Sequence, residues 1–168
     1  MDVELGFADF VRMHTAALLR TAYLLTGDAG AAEELVQDTL VRLYPKWDRV
    51  QAADLPLAYV RRSVTNAFVN ERRRASSRDI RFEVVPERMD MRDVMATIAD
   101  RDELWPLLQA LPARQRAALV LRYFHDMSDD QIAAELECRA GTVRSLISRG
   151  LATMRQAADE APAAGRLS

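Results

Sequence analysis

A chain of 168 residues can form one domain or two small ones, and 49% hydrophobic with 29% charged residues is the composition of a globular protein. The net charge of −2 argues against coating nucleic acid by bulk electrostatics, and the single cysteine excludes an internal disulfide and a cysteine-cluster zinc site. Only six glycines and six prolines occur, which favours an all-helical fold over many short strands joined by tight turns.

The chain lacks the signals of membrane insertion and of metal binding. No run of eighteen apolar residues occurs, and the acidic start MDVELGFADF lacks the basic and apolar segments of a secretory signal. We therefore predict a cytoplasmic protein. His14 and His125 lie far apart without partners at metal-ligand spacing, so neither a metal site nor a cofactor is predicted.

Two helices are predicted at the start of the chain. Apolar residues recur at helical spacing over Phe7–Leu25, Gly27 can end this helix, and Asp28 can cap the next one. Pro45 should kink or stop the second helix close to Leu43 or Tyr44. The buried stripe predicted for the second helix is Val36, Leu40, Leu43 and Trp47, and its outward face carries Glu34, Gln37, Asp38 and Val41. A solvated surface is the default interpretation of such an outward face.

After a predicted loop, Asp48–Pro56, a third helix begins with Asp54 as its cap and Pro56 in its first turn. One face of this helix is apolar, with Leu57, Val60, Val64 and Phe68. The opposite face carries Tyr59, Arg62, Asn66, Asn70 and Arg73. This polar stripe contains groups that can stack on bases, hydrogen-bond their edges and hold phosphates. A polar outer face that ends in a basic C-terminal turn is the alternative interpretation.

Helical patterning fades after Arg74, and the following mixed sequence predicts a flexible linker over residues 76–98. Within it, Met89–Ile98 carries only a weak helical pattern. Leucines from Leu104 to Leu111 then predict a helix, and Pro112 opens another. The chain is thus predicted to divide into an N-terminal domain (1–75), the linker (76–98), a C-terminal domain (99–160) and a tail (161–168).

The C-terminal domain contains a predicted helix-turn-helix over residues 126–155. Ser128 and Gln131 have the spacing of a capping box at the start of its first helix. The second helix opens near Gly141 and places its apolar residues on one side. Its other side has no acidic neighbour between Cys138 and Ala158, and the DNA contacts predicted there are Arg139, Thr142, Arg144, Ser145, Ser148 and Arg149. An amphipathic helix with a solvated basic face is the alternative.

Taken together, these segments resemble a bacterial RNA polymerase sigma factor of the extracytoplasmic-function (ECF) type. AEELVQDTLVRLYPKW resembles the family's polymerase-docking helix, and LPLAYVRRSVTNAFVNERRR resembles the helix that recognises the minus-ten promoter element. LPARQRAALVLRYFHDMSDDQIAAEL with GTVRSLISRGLATMR resembles the domain that recognises the minus-thirty-five element. The resemblance covers Phe7 to Arg155, with a variable linker in the expected place.

The resemblance implies roles that periodicity alone does not supply. Core RNA polymerase and promoter DNA are the implied partners, and an inhibitory anti-sigma protein, common in this family, is a further candidate. The loop Asp48–Asp54 matches the position that captures a base flipped from the melted minus-ten strand. The polar stripe, from Tyr59 to Arg73, would hold the adjacent strand. The implied polymerase contacts are Glu34, Gln37, Asp38 and Arg42.

Two departures and two alternative functions accompany this interpretation. Many family members have a small or glycine residue where this chain has Glu137 and a serine cap where it has Arg139. The sequence therefore does not decide the geometry of the turn or the residue at which the second helix starts. An autonomous regulator with an N-terminal sensor domain is the main alternative function. A helical enzyme ranks lower, because no paired carboxylates, activated nucleophile or glycine-rich phosphate loop occurs.

Overall fold

The computed structural model describes residues 6–78 and 104–160, with side chains over 6–71 and 106–160. Every regular element in these ranges is a helix, which confirms the predicted all-α fold. The chain divides into two compact units, residues 1–100 and residues 101–168. No helix in the described ranges is long and apolar enough to span a membrane.

Within residues 6–78, the first unit contains three long helices and one short helix. Helices α1, α2 and α4 pack against one another, and α3 packs on α4. Their bounds are α1 Phe7–Thr26, α2 Ala29–Leu43, a 3₁₀ turn Tyr44–Lys46, α3 Trp47–Gln51 and α4 Pro56–Arg78. The end of α1 and the start of α2 confirm the predicted stop and cap residues. Gly27 adopts a left-handed conformation after α1, and the Asp28 carboxylate accepts a hydrogen bond of 2.8 Å from the N–H of Ala31.

The predicted faces of α2 are also confirmed. Val36, Leu40 and Leu43 are buried, whereas Glu34, Gln37, Asp38 and Val41 are exposed. Trp47 is buried as predicted, but it lies at the start of α3 and not in α2. The α-helix stops at Leu43, where Pro45 enters the 3₁₀ turn, as its missing N–H requires. The chain then continues directly into α3.

Three local predictions for this unit were wrong. The segment 48–56 is not all loop, because Trp47 and Val50 are buried at helical spacing and anchor the single turn α3. Leu55 caps α4 in place of Asp54, since the Leu55 carbonyl accepts the first helical hydrogen bond from Tyr59 N–H at 3.0 Å. Helix α4 also runs to Arg78, beyond Arg74. The rest of the predicted linker, the Met89–Ile98 segment and the tail 161–168 lie outside the described residues.

Over residues 104–160, the second unit contains a short helix followed by three helices that pack together. Helix α6 packs on α7 and α8, α7 packs on α8, and α5 also contacts α8. The bounds are α5 Leu104–Gln109, α6 Ala113–Phe124, α7 Asp129–Leu136 and α8 Ala140–Glu160. Its core includes Leu108, Leu121, Ile132, Leu136 and Val143. This packing fixes the angle at which α8 presents its outer face.

Candidate nucleic-acid interface

Helices α7 and α8 form the predicted helix-turn-helix. Ser128 and Gln131 make both hydrogen bonds of a capping box, at 2.8 and 3.2 Å. Glu137 ends α7 with φ 55° and ψ 50°, the left-handed geometry that glycine adopts without a side-chain clash. The turn therefore keeps its left-handed form despite the glutamate. The carbonyl of Arg139 accepts the first hydrogen bond of α8, from Val143 N–H at 3.1 Å, so α8 starts close to the predicted Gly141.

The outer face of α8 carries five of the six predicted DNA contacts, and Arg139 immediately precedes the helix. Arg139, Thr142, Arg144, Ser148 and Arg149 are exposed, and Ser145 is half-buried. Val143 and Gly150 are buried on the opposite side. The exposed basic and hydroxyl side chains therefore point away from the core of the unit.

Arg144 has a partner that the sequence did not indicate. Its Nη1 lies 3.5 Å from Oδ2 of Asp129, and Oδ1 of Asp129 forms an ion pair with Arg122. These three residues come from α8, α7 and α6, respectively. No periodic pattern within one helix can reveal a pair that depends on how three helices pack.

Gly150 marks a close approach that sequence reasoning also missed. A Cβ atom at Gly150 would lie 2.9 Å from Cδ1 of Leu119, whose side chain is itself buried. A side chain at this position would therefore require the buried Leu119 side chain or the crossing of α6 and α8 to shift. A glycine inside a helix, where it costs about 1 kcal/mol relative to alanine, was the available signal.

Replacing Gly150 with alanine should therefore lower the free energy of unfolding by about 1 kcal/mol. Overpacking costs roughly 1 to 3 kcal/mol, and the better helix propensity of alanine returns about 1 kcal/mol. Gly141→Ala is the matched control, because its Cβ would meet Nη2 of Arg144 at an ordinary 3.8 Å. Thermal unfolding of both variants measures the difference. A gain in stability for Gly150→Ala equal to that of Gly141→Ala would contradict the close crossing.

The polar stripe predicted on α4 lies on the surface of the first unit. Arg62 and Asn70 are exposed, and Tyr59 and Asn66 are half-buried. Arg73 falls within α4, but its side chain lies outside the described residues. The apolar side is packed in the core, with Val60, Val64 and Phe68 buried.

An open pocket of about 880 Å³ adjoins the start of α4. Residues 51–58 contribute much of its lining, together with Asp48 and Arg61. Helix α1 contributes Phe10 and His14, and the pocket also contacts Trp47. The rings of Phe10 and Trp47 have centroids 4.9 Å apart, and those of Phe10 and His14 lie 4.6 Å apart. Sequence reasoning selected the segment 48–54 but missed the two α1 residues, which the tertiary fold brings to the pocket.

The outer face of α2 combines charge with exposed apolar surface. Glu34, Gln37, Asp38 and Arg42 are exposed as predicted. Val41 is 70% exposed and Tyr44, which the prediction omitted, is 62% exposed. These two lie three residues apart, the spacing at which helical side chains are neighbours. These two side chains add apolar surface to a face that is otherwise charged and polar.

Both units of the chain match known protein families. Residues 10–78 match the family model described as Sigma-70 region 2, and residues 101–154 match Sigma-70, region 4. The chain is 36% identical over 156 residues to the RNA polymerase sigma-E factor of Streptomyces coelicolor, covering 93% of this chain and 88% of that one. It is 32% identical to the ECF RNA polymerase sigma factor SigL of Mycobacterium tuberculosis, covering 84% and 82% of the two chains.

This chain belongs to the ECF family of RNA polymerase sigma factors. The predicted family is thereby confirmed, and a sigma factor directs core RNA polymerase to promoters. The fold of this sigma factor is also similar to that of RpoE from Bartonella quintana, solved in complex with the anti-sigma factor NepR. That comparison has a TM-score of 0.65 at 24% identity and covers 93% of this chain and 98% of the other.

The matched regions contain all the surfaces described above. In this sigma factor, region 2 includes the outer face of α2, the pocket and the polar stripe of α4. Region 4 includes the helix-turn-helix and the Arg122, Asp129 and Arg144 cluster. Among the described residues, no group of three or more histidine, cysteine or acidic side chains is arranged to hold a metal ion.

Proposed function

We propose that this sigma factor binds core polymerase through the outer face of α2 and contacts two promoter elements through α4 and α8. The observation that carries the proposal is the pocket of about 880 Å³ at the start of α4, the helix that also bears the polar stripe. A pocket next to such a stripe provides one site for an unstacked base and another for the strand attached to it. The predicted domain boundaries, 1–75 and 99–160, are part of this proposal.

At the minus-ten element, the pocket would receive one base flipped out of the melted strand. Flipping costs a few kcal/mol of unstacking, which contacts to the exposed base must offset. Carboxylates of Asp48 and Asp54 line the pocket and can accept hydrogen bonds from a base amino group. The stripe on α4 would hold the adjacent nucleotides, with Tyr59 stacking on a base, Asn66 and Asn70 bonding to base edges, and Arg62 and Arg73 contacting phosphates.

At the minus-thirty-five element, α8 would lie in the major groove with its N-terminal half toward the base edges. Arg144 is the proposed base contact, because a guanidinium can donate two parallel hydrogen bonds to guanine. Thr142, Ser145 and Ser148 offer hydroxyl groups for bases or phosphates. Arg139 and Arg149 would contact the phosphate backbone, which fixes the helix in register.

The modest net charge of the chain is consistent with two DNA-binding surfaces that act together with polymerase binding. With a net charge of −2, neither DNA surface needs to bind tightly alone, because polymerase binding places both at high effective concentration on one promoter. We propose that the chain works in the cytoplasm, where polymerase and promoter meet, and contributes no active site of its own. An anti-sigma protein is a further proposed partner; the Bartonella quintana protein was solved with one.

Reconstitution with bacterial core polymerase tests the proposal. The wild-type chain should form a stable complex at micromolar concentration and start transcription from specific promoters, and absence of any complex would refute the proposal. Asp38→Arg should weaken the complex about tenfold, because it reverses a charge on the exposed face of α2. Asp159→Arg makes the same charge change at an exposed residue of α8 and serves as the control. Equal weakening by both variants would contradict docking through α2.

A further inference from the structure

Among the residues that the structure describes, only Asp129 forms an ion pair with Arg144, and it also forms one with Arg122 of α6. Its carboxylate contacts Arg122 of α6 with one oxygen and lies 3.5 Å from Nη1 of Arg144 with the other. Ser128 and Gln131 fix this end of α7 through the capping box, so the backbone that carries Asp129 is held in place. The carboxylate is thus positioned by its own helix and by a second arginine.

The two ion pairs differ in exposure. The side chains of Arg122 and Asp129 are each 30% exposed, whereas the side chain of Arg144 is 65% exposed. Water and salt therefore screen the pair with Arg144 more strongly than the pair with Arg122. DNA can therefore contact the exposed part of the Arg144 guanidinium while Asp129 stays bound to Arg122.

Helix α8 offers Arg144 no acidic partner of its own. No aspartate or glutamate occurs between Cys138 and Ala158, so a carboxylate for this arginine must come from another helix. A free arginine side chain samples many rotamers, and ordering it on DNA costs conformational entropy. A partner that already restricts the guanidinium reduces this cost, which is the general effect of preorganisation.

We propose that Asp129 is a positioning residue that orients Arg144 for sequence recognition and so determines specificity at one base pair. This inference rests on the proposed contact of Arg144 with the minus-thirty-five element. Asp129 uses Nη1 of Arg144, and the remaining donors of the five on the guanidinium are available for the two acceptors of a guanine. Arg122 keeps the carboxylate in place and offsets part of its charge, which weakens but does not remove its repulsion of the DNA phosphates.

A carboxylate in this position has two opposing effects on DNA binding. Its negative charge lowers the affinity for every sequence, because it repels phosphates. Its hold on Arg144 raises the preference for the correct base. Removing the charge should therefore separate the two effects, with weaker discrimination but equal or tighter binding to unrelated duplexes.

The test uses the full chain assembled with core polymerase and a DNA library randomised across the minus-thirty-five region. Asp129→Asn should lower the preference for the correct base at one base pair about tenfold, which lies in the lower part of the range of discrimination by one bidentate contact. It should not weaken binding to duplexes of unrelated sequence. Arg144→Ala should remove the preference at the same base pair. Asp130→Asn, which removes an exposed charge from the next residue, should leave the preference unchanged.

The outcomes distinguish this inference from the proposed function. If Arg144→Ala changes no base preference, both the DNA contact and the role of Asp129 are wrong. If Arg144→Ala removes a preference that Asp129→Asn retains, only the role of Asp129 is wrong. Arg122→Gln provides a second variant, which removes the other ion pair and should relax the same base pair to a smaller extent. A loss of preference in Asp130→Asn equal to that in Asp129→Asn would also overturn the inference, because it would show a general charge effect.

Discussion

Replacing Trp47 with alanine should lower the free energy of unfolding of the first unit by about 3 to 5 kcal/mol, the usual range for removing a buried aromatic ring. Trp47 is 8% exposed and lies at the start of α3. Its ring makes edge contacts with Phe7 and Phe10 of α1, at centroid distances of 5.1 and 4.9 Å. Each such pair adds about 0.5 to 1.5 kcal/mol beyond the area that it buries.

The expected loss is large because this cluster joins α1 to the segment that follows α2. Small domains have a total stability of roughly 5 to 15 kcal/mol, so the variant should be partly unfolded at physiological temperature. The pocket would be lost with the cluster, since Phe10 and Trp47 both line it. Trp47→Ala should therefore abolish promoter opening through loss of structure.

Urea unfolding followed by circular dichroism, with hydrogen exchange over residues 6–71, measures the effect. Tyr44→Ala is the control, since Tyr44 is 62% exposed and contacts only the edge of the cluster, at 4.9 Å from Phe7. It should cost about 1 kcal/mol or less. A loss for Trp47→Ala as small as that expected for Tyr44→Ala would show that the cluster does not hold α1 in place. Trp47→Phe should retain most of the stability. A defect in promoter opening that remains in Trp47→Phe would therefore come from the changed lining of the pocket and not from unfolding.

Sequence patterns predicted the features that depend on neighbours along the chain. The spacing of Val36, Leu40 and Leu43 defined the buried face of α2, because one helix face recurs every three or four residues. The capping box of α7 was equally predictable, since Ser128 and Gln131 interact within one turn. The outer face of α8 followed from the same periodicity.

Features that depend on packing between helices were not predictable in this way. The approach of Gly150 to Leu119, the bridge from Arg144 to Asp129, and the pocket contributions of α1 join residues that are distant in sequence. The short helix α3 was missed because one turn is too short to show a period. Its stability comes from burying Trp47 and Val50 in the unit rather than from helix propensity.

Arg116 is a further residue whose position cannot be predicted from residue type, because a charged side chain is usually found in solvent. It is instead 4% exposed. Its Nη2 donates hydrogen bonds to the carbonyls of Leu111, at 2.8 Å, and Gln109, at 3.1 Å, and its Nη1 donates to Oε1 of Gln109 at 3.1 Å. The guanidinium therefore satisfies carbonyls at the end of α5, which has only six residues and cannot be stable alone.

We expect Arg116→Ala to destabilise the second unit by about 3 to 5 kcal/mol. Hydrogen bonds to a charged group contribute about 1.5 to 3 kcal/mol each, and the carbonyls left behind would be buried without their partner. Arg116→Lys should recover only part of the loss, because a single ammonium cannot reproduce the planar fork of a guanidinium. Arg114→Ala is the control, since Arg114 is exposed and makes one contact of 3.4 Å with the Leu136 carbonyl, so its loss should cost less than about 1 kcal/mol.

Thermal unfolding gives the size of the effect, and hydrogen exchange over residues 106–160 locates it. Protection should fall first between Gln109 and Arg116, where the guanidinium joins α5 to α6, and then along α8, which contacts both helices. A variant that loses stability without this order of exposure would contradict the role of Arg116 as the cap of α5. Because α8 carries the proposed minus-thirty-five contacts, Arg116→Ala should also weaken recognition of every base in that element together. Asp129→Asn, by contrast, should affect a single base pair, so the two variants distinguish the packing that holds α8 from the ion pair that orients Arg144.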